Sequence, residues 1–73
     1  MFRKYTAIVE KEGDGFVALC PELDVVSQGD TIEAAVANLR EAVELFLDTA
    51  SPQEIEERLH SEFYITAFEV ASG

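Results

Sequence analysis

The chain has 73 residues, enough for one small domain that buries only about 60–65% of its unfolded surface. Fifteen acidic residues against five basic ones give a net charge of −10, which disfavours direct binding to nucleic acid, because phosphate affinity comes from clustered Lys and Arg. A single cysteine, Cys20, excludes an internal disulfide, and with a single histidine, His60, it cannot build a zinc site.

No apolar run approaches the roughly 20 residues of a membrane span. The opening MFRKYTAIVE lacks the apolar core and small residues of a signal peptide, so a cytoplasmic, reduced protein is expected. A core this small needs a helper, and with disulfide and metal set aside, oligomerisation is the expected one.

In chain order, residues 3–10 alternate Tyr5, Ala7 and Val9 against Lys4, Thr6, Ile8 and Glu10, which reads as a first strand. KEGDG at 11–15 reads as a turn, and Phe16–Cys20 as a second strand closing a hairpin. The register stays open, since a shift of one residue moves Phe16 to the other face. Pro21 ends that strand, Glu22–Asp24 turn, and Val25–Gln28 form a short third strand.

Asp30–Asp48 is the longest periodic segment. Ile32, Ala35, Val36, Leu39, Ala42, Val43 and Phe46 make one apolar stripe, with Glu33, Glu41, Glu44 and Asp48 opposite. Gly29 permits a tight entry, and Asp30 with Glu33 reads as a capping box. Leu45 breaks the pattern, apolar among carboxylates; it is either a tolerated surface leucine or a contact with another chain. Ser51, Pro52 and Glu54 open a second, short helix to His60, anchored by Ile55 and Leu59. Phe63–Val70 reads as a fourth strand.

The expected fold is therefore α+β: an antiparallel sheet of about four strands in the order β-β-β-α-α-β, in one domain over residues 1–73, with the main helix on one face. That scheme leaves apolar surface uncovered. Strand four carries Phe63, Ile65 and Ala67 on one face and Tyr64, Phe68 and Val70 on the other, and strand two is apolar on both faces. Such surface points to another copy of the chain, a homodimer or higher homo-oligomer.

No phosphate loop, nucleophile elbow or metal-ligand motif occurs, so no catalytic, cofactor or metal set is expected. His60 reads as an exposed residue at a helix end, and Cys20 as a buried, inert thiol. The carboxylates Glu10, Asp14, Glu22 and Asp24 gather near strand ends, where a divalent-metal nuclease would need such a cluster, although turns collect acidic residues in any case.

Five features in order carry a family resemblance: the strand Tyr5–Glu10, Gly13–Phe16 (GDGF), Pro21-Glu22-Leu23, Gln28-Gly29-Asp30-Thr31, and Glu33-Ala34-Ala35 followed by Leu39 and Ala42. Over about residues 4–47 the chain resembles the HicB-like antitoxins. The resemblance implies a truncated ribonuclease H fold without its catalytic residues. It also implies a partner, a small basic toxin of the HicA type that cleaves mRNA. Larger members add a DNA-binding domain for autorepression, and nothing in these 73 residues reads as one. Here Asp24-Val25 stands where many members have Pro-Gly.

The resulting expectation is a non-enzymatic module that neutralises a basic toxin, binding neither membrane nor nucleic acid directly. Its expected partner or oligomer contacts are Leu45, Phe63, Tyr64, Phe68, Glu22 and Asp24. The alternatives are a metal-dependent ribonuclease H-like nuclease using Glu10 and Asp24, and a stand-alone structural or sensor oligomer.

Overall fold

In a computed structural model describing residues 3–60 and 62–72, a two-residue loop settles the hairpin register. Strand β1 (Ile8–Glu12) pairs antiparallel with β2 (Gly15–Cys20), Glu12 opposite Gly15 and Ile8 opposite Leu19, so Gly13 and Asp14 alone make the turn. Gly13 takes φ +59, a left-handed conformation that costs glycine little. Strand β3 (Val25–Gly29) pairs antiparallel with the other side of β2, Phe16 opposite Gly29 and Cys20 opposite Val25. The sheet order is β1-β2-β3.

This register sorts the side chains. Val9, Phe16, Ala18, Cys20 and Val25 share the face that meets the helices, whereas Ile8, Val17, Leu19 and Val26 share the other. Helix α1 (Ile32–Thr49) lies across the first face and closes a core of Ala18, Cys20, Leu23, Ala35, Leu39 and Val43. The apolar stripe is thus where its spacing predicts, and the fold is α+β. Helix α2 (Pro52–Arg58) begins as expected, with the Ser51 hydroxyl accepting from the Glu54 N–H and Pro52 in the first turn.

Three expectations need correction. Thr31 rather than Asp30 caps α1: its backbone is extended and its hydroxyl accepts from the Ala34 N–H at 3.0 Å. Strand β1 starts at Ile8 rather than Arg3, because β2 stops at Cys20, before Pro21, and leaves nothing for residues 3–6 to pair with. Finally, the fourth strand at 63–70 does not form: among the described residues the sheet has three strands. A strand needs an edge to pair with as well as β-prone residues, and no edge of this chain's sheet meets that segment. From Tyr64 on its side chains stand in solvent, Tyr64 at 83% and Phe68 at 84% exposure. The molecule is correspondingly long, 49 × 28 × 19 Å, with a radius of gyration of 14.5 Å, against about 11 Å for a compact chain of this length.

Candidate functional site

The Pro21–Asp24 turn gathers side chains from three parts of the chain. The Glu22 carboxylate accepts from the Thr6 N–H at 2.9 and 3.1 Å, from the Thr6 hydroxyl at 2.9 Å and from the Cys20 thiol at 3.5 Å. Its own carbonyl accepts the His60 N–H. One residue therefore ties the N-terminal segment, the end of β2 and the end of α2 together.

Partial burial works to raise the Glu22 pKa. The N–H groups of Glu22 and Thr6, the Thr6 hydroxyl and the Cys20 thiol donate to the carboxylate and outweigh that effect, so the net shift is downward. Burial pushes the Cys20 thiol up, and its hydrogen bond to Glu22 and that group's negative charge add to the rise, against backbone donors from Leu23 and Glu22. Such a thiol is a poor nucleophile.

Asp24 follows in a left-handed conformation, φ 55, which Asp tolerates better than most residues. Its Oδ2 lies 3.1 Å from His60 Nε2, both side chains being exposed. Beside them is an open hollow of about 400 Å³ bounded by Phe46, Glu54, Glu57 and Arg58. The Arg58 guanidinium covers the Phe46 ring, 4.9 Å from its centroid.

A larger groove, about 910 Å³, runs between residues 3–7 and the helices. Tyr5 and Ala7 form one wall, Val36, Val43 and Leu47 of α1 the other, and Ile55 of α2 closes one end. Arg3 and Arg40 also line it, two of the five basic residues in the chain.

The expected contact residues do not converge. Glu22 is committed to bonds within the chain, whereas Asp24 is exposed beside His60. Leu45, 64% exposed, is seven residues beyond Asn38, whose amide donates to the Gln28 carbonyl. Two turns apart, both lie on the β3 flank of α1, away from the groove. Tyr64 and Phe68 are on the exposed C-terminal segment, and Phe63 is half-buried. Glu10 points to the open sheet face with Val17, so it does not share a site with Asp24 on the helix side. Among the described residues no three His, Cys, Asp or Glu side chains stand together as metal ligands would. No helix among them is long and apolar enough to cross a membrane.

The groove was missed in the sequence, although Val36 and Leu47 signal it: with the core residues they make a stripe wider than a three-stranded sheet covers. The row Ile8–Leu19–Val26 on the open face was missed for want of the register.

Comparison with known proteins supplies a family. A UPF0150 protein of Synechocystis sp. is 49% identical over 47 residues, 62% of this chain and 60% of that protein. A UPF0150 protein of Helicobacter pylori is 40% identical over 50 residues, 67% of this chain and 69% of that protein. The chain belongs to the UPF0150 family. The match thus spans about three fifths of the first UPF0150 relative's length and about two thirds of the second's. No family model matches the chain. No solved structure matches it. The names of these UPF0150 relatives state no activity.

Proposed function

We propose that the chain is a non-enzymatic, HicB-like antitoxin module that binds and neutralises a small basic mRNA-cleaving toxin of the HicA type. The observation that carries this reading is the distribution of charge on the helices. Helix α1 exposes Glu33, Glu41, Glu44 and Asp48 against the single base Arg40, and α2 exposes Glu54, Glu56 and Glu57 against Arg58. Seven carboxylates thus face solvent from two adjoining helices, with exposed Leu45 among them as an apolar contact. A basic surface would find steering charge and a desolvated anchor in one place. The ordered features over residues 4–47 support the same reading.

The test is association kinetics with a purified HicA-type toxin, beside an RNA-cleavage assay. Exposed charges are screened within about 8 Å at physiological salt. The association rate is therefore expected to fall on the order of tenfold between low and high salt, while dissociation, held by apolar contacts, changes little. The toxin's cleavage of RNA is expected to stop at one equivalent of this chain. Magnesium- or manganese-dependent cleavage by the chain alone, abolished by Asp24→Asn, would refute the proposal and establish the nuclease alternative.

A further inference from the structure

We propose that residues 62–72 are an exchange arm: in a dimer, each copy's arm lies along the edge of the other's residues 3–8 and fills the groove beneath α1. The arm does not serve its own body. Tyr64, Ile65, Phe68 and Val70 are 69–84% exposed, and among the described residues none beyond Ile55 lines the groove. Its root is pinned, with the His60 N–H on the Glu22 carbonyl and the His60 ring on Asp24, and from there the arm leaves the body.

Its composition fits an added strand. Six of the eight residues 63–70 are aromatic, Ile, Val or Thr. Both of its faces are apolar, which suits a single place in this fold. Beside residues 3–8, one face enters the groove under Val36, Val43 and Leu47, and the other extends the row of half-buried Ile8 and Leu19 and exposed Val26. Eight strand residues span about 26 Å, the reach of residues 3–10 if extended.

The two edges of the sheet are not equivalent. At β3 the Asn38 amide occupies the Gln28 carbonyl, and α1 presses on Gly29, where an added Cβ would come within 2.5 Å of the Ala35 nitrogen. At β1 the charges Glu10, Lys11 and Glu12 guard only the end near the turn. The stretch before them is open.

Charge selects a second copy as the occupant. Between two chains of net −10, association needs a local match of opposite sign. The arm carries Glu62 and Glu69 and no base, whereas Arg3 and Arg40 line the groove against one carboxylate, Glu44, with Lys4 nearby in sequence. The area also suffices. Tyr64 and Phe68 can each bury about 150–250 Å²; doubled by exchange and matched by the groove walls, this reaches the roughly 1,200–2,000 Å² of a stable interface.

The test is light scattering at micromolar concentration together with hydrogen exchange of the arm. The wild type is expected to have the mass of two chains and protected amides over 63–70. Phe68→Glu in the arm and Val36→Glu in the groove, each checked for folding by circular dichroism, are expected to restore the mass of one chain and abolish that protection. Three results would overturn the proposal: a single-chain mass with protected arm amides, which is closure onto the chain's own groove; a single-chain mass with unprotected arm amides; and a two-chain mass that neither variant weakens. None of these measurements involves a toxin, so they leave the antitoxin reading where it stands.

Discussion

Gly29→Ala is expected to destabilise the protein by about 2 kcal/mol, although alanine is ordinarily the gentler residue in ordered structure. Gly29 ends β3 just before α1 begins, and the helix packs directly on it. An added Cβ would lie 2.5 Å from the Ala35 nitrogen, 2.7 Å from the Ala34 carbonyl carbon and 2.9 Å from the Ala34 Cβ. Two of these neighbours are backbone atoms of the first turn of α1, so relief requires moving the helix off the sheet. Overpacking of this kind costs about 1–3 kcal/mol, and a rigid backbone neighbour places it at the upper end. Restricting the unfolded chain returns up to about 1 kcal/mol, leaving the net figure near 2. With a urea dependence of about 1 kcal/mol per M for a small domain, the midpoint should fall by about 2 M. Melts at fixed protein concentration would show it. Adding Ala34→Gly should not rescue the variant, because it removes the side-chain contact and leaves the backbone ones. An unchanged midpoint, or full rescue by Ala34→Gly, would refute the close approach of helix and strand.

Two further outcomes are expected. Thr31→Ala should lower the thermal or denaturant midpoint by about 1 kcal/mol through loss of the bond to the Ala34 N–H, whereas Asp30→Ala should cost only a few tenths through the helix dipole; the reverse order would return the cap to Asp30. Glu22 has a folded-state pKa below its ordinary value of 4.5, so it contributes stability above that pH and the contribution is lost as pH falls through the lower folded value. Stability measured between pH 7 and pH 3 should therefore decline less steeply in Glu22→Gln, and identical slopes would mean that the bonds from Thr6 do not favour the ionised form.

Much of the fold was legible because α1 states its own geometry. Leu39 and Val43, with Ala35 one turn before, are buried where their spacing requires, and Ser51-Pro52 starts α2 as written. The cap was misplaced by one residue because Asp30 and Thr31 are both competent acceptors, and only the extended backbone at Thr31 separates them. Register depends on how many residues the loop consumes, and KEGDG permits several counts; left-handed Gly13 settles on two. The segment 63–70 shows the larger limit. Phe63, Ile65 and Val70 announce a strand, but a strand is a relation between two edges, and the sequence names only one side of it. The contact residues scattered for a similar reason: Leu45 and Phe68 share exposure without sharing a place, and the groove between Tyr5 and Leu47 joins residues over forty positions apart.

The bond from Asn38 to the Gln28 carbonyl has a consequence for how such a sheet can grow. A sheet with two receptive borders can add copies without end, whereas one whose far border is engaged at Gln28 by its own helix favours a single terminus for polymerisation. Addition there uses up the terminus and leaves nothing for a third molecule. Replacing Asn38 with a residue unable to donate would reopen the far border, and the hazard it exposes is the filament, the state that a −10 protein with an uncovered, partly exposed apolar sheet face most needs to avoid.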